Sequence, residues 1–142
     1  MKQATTNFSI LYADDDSDDK FFLDETISSS GLPADMVYVS DGAEAIRYLE
    51  TIQATGKLPS LIVLDMNMPR LDGKQTLSYI KEHPKFSSIP VIILSTSENK
   101  KDKDFCTQKG AASYLKKPAH MRGYLDIVKS FFSFAQSVAS SI

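Results

Sequence analysis

Short apolar runs rich in β-branched side chains alternate five times with longer stretches in which apolar residues recur every three or four positions. The runs occupy residues 8–13, 36–39, 61–64, 91–94 and 112–115. Such alternation predicts a parallel sheet with helices packed on its faces. Leu61-Ile62-Val63-Leu64 and Val91-Ile92-Ile93-Leu94 are apolar at every position, as strands covered on both faces must be, so these two are expected at the sheet centre.

The first helix is expected to begin near Ser17, where a hydroxyl or carboxylate caps free amides and Asp18 and Asp19 face the positive end of the helix dipole. It should stop by Gly31 and Pro33. The second opens with Asp41-Gly42-Ala43-Glu44, a capping-box spacing, and carries Ala45, Ile46, Leu49 and Ile52 on one stripe. Further helices are expected over residues 73–83, 98–109 and 120–140. In the last, Met121, Leu125, Val128, Phe132 and Ala135 form the predicted core stripe, while Tyr124, Ile127, Phe131 and Phe134 widen it beyond what one sheet face should cover.

Open parallel sheets bind ligands outside the carboxyl ends of their strands, so the residue after each run carries the chemistry. The first run is followed by Asp14-Asp15-Asp16, the third by Asp65, the fourth by Ser95 and the fifth by Lys116-Lys117-Pro118. If the first and third strands are neighbours, as in the order 2-1-3-4-5, their carboxylates converge. Two carboxylates about 4 Å apart repel by up to about 4 kcal/mol at an effective dielectric near 20, so such a cluster needs a cation. Oxygen donors without nitrogen or sulfur suit a hard ion, and Mg²⁺ prefers one or two carboxylates, waters and a phosphate oxygen. With a lysine ammonium and a hydroxyl beside it, the set contains the parts needed for phosphoryl transfer by positioning and charge neutralisation.

Composition narrows the partners. At 142 residues the chain has the size of one domain, expected as a core over about residues 8–138 with a short flexible N-terminus and C-terminal tail. A net charge of −2 leaves no electrostatic footprint for nucleic acid. Cys106 is the only cysteine, which excludes an internal disulfide, and it is expected to pack as a small hydrophobe on the fourth helix. No signal-peptide core and no apolar run of about 20 residues is present, so no membrane partner is expected and the cytoplasm is the expected compartment. His83 and His120 read as solvent-facing helix-end residues without a catalytic role.

Four segments in order, Ile10 through Asp16, Leu64-Asp65-Met66-Asn67-Met68-Pro69-Arg70-Leu71-Asp72-Gly73, Val91 through Thr96 and Gly110 through Pro118, resemble the receiver domains of bacterial response regulators over nearly the whole chain. The resemblance implies an α/β fold, a doubly wound five-stranded parallel sheet of order 2-1-3-4-5 with helices on both faces, flavodoxin-like and CheY-like. It implies that Asp65 accepts phosphate from the phosphohistidine of a sensor histidine kinase or histidine phosphotransfer protein. Mg²⁺ would be bound by Asp15, Asp65 and the backbone carbonyl of Asn67, with Asp14 acting mainly through a metal-bound water. Ser95 is similar to the family's hydroxyl switch, Tyr114 to the aromatic that follows it, and Lys117, directly before Pro118, to the phosphate-binding lysine. Asn67 and Ser97 occupy positions that tune the lifetime of the phosphoryl group. The chain is thus expected to be a standalone signalling phosphoacceptor rather than an enzyme with a separate substrate, catalysing only its own phosphorylation and dephosphorylation. The Asp-Met-Asn-Met-Pro loop and the stretch over residues 51–59 are similar to those of regulators associated with phytochrome-type kinases.

Ser95 stands where threonine is commoner, which keeps the hydroxyl and loses a methyl that restricts rotation, so looser coupling to Tyr114 is expected. The wide apolar stripe of the last helix raises the expectation of a homodimer through it, or of a docked kinase helix, alongside an unidentified downstream protein. Two other classes share parts of the pattern. A dehalogenase-like phosphatase needs a second aspartate two residues after the nucleophile, where this chain has Asn67. A phosphorylation-independent adaptor generally lacks one of the site residues, and all are present.

Overall fold

The computed structural model describes residues 8–140, so the expected flexible N-terminus and the last residues of the tail lie outside the described residues. The strands are β1 (Phe8–Ala13), β2 (Ala34–Val39), β3 (Leu61–Asp65), β4 (Val91–Ser95) and β5 (Ser113–Lys116). The helices are α1 (Ser17–Ser30), α2 (Gly42–Ile52), α3 (Gly73–Glu82), α4 (Lys100–Gln108) and α5 (Tyr124–Ser140). All strand pairs are parallel and the order is β2-β1-β3-β4-β5, with Leu11 opposite Ile62 and Leu64 opposite Ile93. The expected doubly wound sheet is present, and β3 and β4 are buried at every residue.

Side chains alternate across the sheet and divide the core in two. Leu11, Ala13, Ile62, Leu64, Val91 and Ile93 face Ala45, Leu49, Leu77, Ile80 and Cys106 of α2, α3 and α4. Ile10, Tyr12, Leu61, Val63, Ile92 and Leu94 face Leu23 and Ile27 of α1 and the buried stripe of α5. Among the described residues no helix is long and apolar enough to cross a membrane.

Local chemistry sets the helix starts. α1 begins at Ser17, as expected, with Asp16 capping it by accepting from the Asp18 and Asp19 amides, and Gly31 ends the helix at φ 73°. Asp41 caps α2 through the Glu44 amide at 2.8 Å, and Asp72 and Gln75 form a full capping box on α3. Buried Asp41 also accepts from Arg70 Nε at 2.8 Å. Burial alone would raise its pKa, but the Glu44 amide and the Arg70 guanidinium hold it below the usual carboxylate range. This pair ties the α2 start to the β3–α3 loop, where Arg70 holds a left-handed backbone at φ 63°. Gly42 seals the same junction. A Cβ there would collide with the Thr76 hydroxyl and approach the Leu71 carbonyl to 2.6 Å. Gly42→Ala is therefore expected to lower stability by about 1–3 kcal/mol, read as an earlier urea midpoint.

Two expectations need correction. β5 lies one residue later than its apolar run, because Lys116 extends the ladder opposite Ser95. The core stripe of α5 is rotated. Tyr124, Ile127, Val128, Phe131, Phe132 and Ala135 are buried, whereas Met121 and Leu125 are 44% and 41% exposed. A 3-10 turn over Met121–Gly123 precedes the helix and packs Gly123 on Pro118, so tightly that a Cβ would meet the Pro118 Cβ at 2.6 Å. That contact fixes the phase of α5 and turns Tyr124 inward. Most of the supposed apolar surplus is thus consumed by the sheet. Met121 and Leu125 remain outside, lining with Thr26, Ser29, Ser30 and Arg122 a groove of about 510 Å³ beside α1.

Candidate functional site

The carboxyl ends of β1, β3, β4 and β5 bring the sequence-predicted residues together. Asp14 follows β1 and is fully buried, Asp65 ends β3 at 6% exposure, and Ser95 ends β4 buried at 1%. Asp15 is exposed beside them. Asp14, Asp15 and Asp65 each present a carboxylate oxygen within 4.8 Å of the others. Three hard oxygen donors at that spacing, one of them facing solvent, fit a small divalent cation that keeps part of its water shell.

Lys117, just past β5, supplies the cationic side, while Lys116 points into solvent. The Lys117 Nζ lies 3.0 Å from Asp14 Oδ2, 2.6 Å from Asp19 Oδ2 and 3.3 Å from Asp65 Oδ1. Burial by itself would lower the pKa of this ammonium, but its bonds to Asp19 and the charges of Asp14 and Asp65 raise it above the ordinary lysine value. Asp65 moves the other way from a usual carboxylate. Burial and the neighbouring Asp14 charge push its pKa up to about 7, against the lowering effects of Lys117 and the Asn67 amide. A carboxylate this reluctant to ionise marks a site built for a cation or an electrophile.

The supporting contacts are specific. Asp14 Oδ2 accepts from the buried Tyr12 hydroxyl at 2.8 Å, and Asp14 Oδ1 accepts from the Asp16 amide at 2.9 Å. Gly73 lets the β3–α3 loop close over the site, since a Cβ would stand 2.6 Å from the Asp65 carbonyl and 2.9 Å from Met66 Cα. Asn67 and Ser97 lie exposed on the loops after β3 and β4. Ser95 Oγ accepts from the Ser97 amide at 3.2 Å, and the half-buried Tyr114 donates its hydroxyl to the Ser97 carbonyl at 3.2 Å. The hydroxyl and the aromatic are thereby linked through one loop residue.

Three members of the site escaped the sequence. Asp19 read as a partner for the helix dipole, Tyr12 as one strand residue among several and Tyr124 as surplus apolar surface. Tyr124 donates to Asp19 Oδ1 at 3.0 Å, completing a chain Tyr12–Asp14–Lys117–Asp19–Tyr124. Burial raises the pKa of both tyrosines, helped at Tyr12 by Asp14 and at Tyr124 by Asp19, so both hydroxyls stay protonated as donors. One signal was available: a tyrosine inside an otherwise aliphatic buried strand must find a partner for its hydroxyl.

Comparison with known proteins agrees with this geometry. The family model of the response regulator receiver domain matches residues 10–129. Response regulator Rcp1 of Synechocystis is 29% identical over 127 residues, covering 88% of this chain and 86% of that protein. Among solved structures, the phosphorylated cyanobacterial phytochrome response regulator RcpA superposes with a TM-score of 0.83 at 34% identity, covering 93% of this chain and 96% of its own. The Mn²⁺-bound form of Rcp1 gives a TM-score of 0.79 at 29% identity, covering 89% of this chain and 93% of its own.

Proposed function

The chain belongs to the response regulator receiver family of two-component signalling, and from that premise we propose that Asp65 accepts a phosphoryl group from a sensor histidine kinase or histidine phosphotransfer protein in a Mg²⁺-dependent reaction. The observation that carries this reading is the placement of a buried Asp65 between an acidic pair and the Lys117 ammonium. Asp15, Asp65 and the Asn67 carbonyl, with Asp14 through a water, would hold Mg²⁺, which would supply neutralising charge to the carboxylates and to the incoming phosphoryl oxygens.

An Asp65 carboxylate oxygen bonds to phosphorus as the P–N bond to the donor imidazole breaks, and the electron pair stays on the imidazole nitrogen. Lys117 holds a second positive charge against the transferred oxygens. Ser95 then turns from the Ser97 amide and donates a hydrogen bond from its hydroxyl to a phosphoryl oxygen. Movement of that loop is felt at Tyr114, whose hydroxyl is bonded to the Ser97 carbonyl. A resulting change of the Tyr114 rotamer presents a different face to an unidentified downstream protein, with Asn67 and Ser97 tuning how long the phosphoryl group survives. The chain acts as a phosphoacceptor switch rather than as an enzyme on a separate substrate. The likeness to RcpA and Rcp1 supports a phytochrome-type kinase upstream. A docked kinase helix or a second copy of the chain would find Met121 and Leu125 to cover.

Incubation with acetyl phosphate is expected to label the protein only when Mg²⁺ is present, with chelation preventing the label. Absence of labelling, or labelling indifferent to metal, would sink this reading.

A further inference from the structure

We propose that Asp19 is a positioning residue for Lys117, forming with Tyr124 a latch that holds the ammonium in the unphosphorylated protein and releases it when the phosphoryl group arrives. The inference rests on the function proposed above and adds to it a competitor for the lysine and a connection from the site to α5.

An ammonium has three N–H donors, and here Asp14 and Asp19 accept hydrogen bonds from it while Asp65 meets it only as a longer ion pair. The shortest contact is to Asp19 at 2.6 Å and the longest is to Asp65 at 3.3 Å. Lys117 is therefore drawn toward α1 and away from the phosphoacceptor. A phosphoryl group on Asp65 carries about −1.5 to −2 charges and strong acceptor oxygens in place of that long contact, so the ammonium is pulled toward it and one of its two hydrogen bonds must lengthen.

Asp14 cannot yield cheaply. Its side chain has no exposure, both oxygens are fixed by Tyr12 and the Asp16 amide, and removing its ammonium would strand a buried charge. The Asp19 side chain is 18% exposed, so water can replace the lysine at Oδ2. Asp19 is the partner to be released.

Its other oxygen carries the consequence outward. Asp19 Oδ1 accepts from Tyr124, the first residue of α5 and 2% exposed. Loss of the ammonium changes the charge that the Tyr124 hydroxyl faces, so phosphorylation is read at the start of α5, by a route that shares only the phosphoryl group itself with the Ser95 and Tyr114 path.

Titration with beryllium fluoride and Mg²⁺, followed by NMR, tests this on the full chain. In the unchanged protein the Tyr124 ring resonances are expected to shift on saturation. Asp19→Asn, which removes the competing charge, should bind the mimic about tenfold more tightly, the equivalent of one partly exposed charge-assisted hydrogen bond. Tyr124→Phe, which removes one oxygen and carries the test should Asp19→Asn not fold, should bind more tightly by a smaller factor. Equal or weaker binding by these folded variants, or a Tyr124 signal in the unchanged protein that ignores the mimic, would overturn the latch while leaving phosphoacceptance intact. Failure of the unchanged protein to bind the mimic would remove the functional reading and the latch together.

Discussion

At about pH 8 and without divalent metal, Asp65→Asn is expected to unfold at a higher urea concentration than the unchanged chain, although it accepts no phosphoryl group. The Asp65 pKa is raised in the folded state, to about 7, by burial and by Asp14. A carboxyl whose folded pKa lies above its unfolded value binds its proton more tightly when folded. Stability must then fall as pH rises through the window between the ordinary aspartate value, near 4, and about 7. Above that window the ionised Asp65 opposes folding, by an amount of order 2–4 kcal/mol at roughly 1.4 kcal/mol per unit. The uncharged amide escapes that cost. Urea melts at a series of pH values should show the fall in the unchanged protein and a flatter profile in Asp65→Asn over the same window. Added Mg²⁺ should recover stability in the unchanged protein above about pH 7 and have little effect on the variant. A variant that loses stability, or that still takes up label from acetyl phosphate, would contradict the assignment.

Lys117→Met should produce the other large effect, a loss of about 3–5 kcal/mol in metal-free protein, because truncating one partner of a buried ion cluster leaves the remaining charges uncompensated. Three carboxylates share this ammonium, and its side chain is only 7% exposed. By contrast, Lys100, which pairs with Asp104 at 2.8 Å on the surface of α4, is 85% exposed. Lys100→Met should therefore leave the urea midpoint nearly unchanged. Mg²⁺ should restore part of the stability lost in Lys117→Met, since it answers the same repulsion, but labelling should stay impaired because Lys117 also meets the transferred oxygens. Equal effects of the two substitutions would show that the cluster is not electrostatically dependent on Lys117.

Residue order alone determined the parallel sheet and the main site. Buried strands reveal themselves by unbroken apolar runs such as Val91 through Leu94, and a topology with ligands at strand ends leaves few places for Asp14, Asp65, Ser95 and Lys117 to go. These are local signals, legible because each residue's role follows from its position relative to one strand. The phase of α5 was not legible. Its apolar residues outnumber the positions of any single stripe, so periodicity could not choose between Leu125 and Tyr124. The choice fell to the Gly123–Pro118 contact across a tight turn and to the Tyr124–Asp19 hydrogen bond, made by residues 105 positions apart. The same holds for Asp19 itself. An aspartate in a first helical turn is adequately explained by the helix dipole, and only the packing of α1 against α5 brings it to Lys117, 98 positions away. Sequence therefore fixed which groups stand at the strand ends, and tertiary structure decided which of them share one ammonium, because that depends on distances between helices that no local pattern encodes.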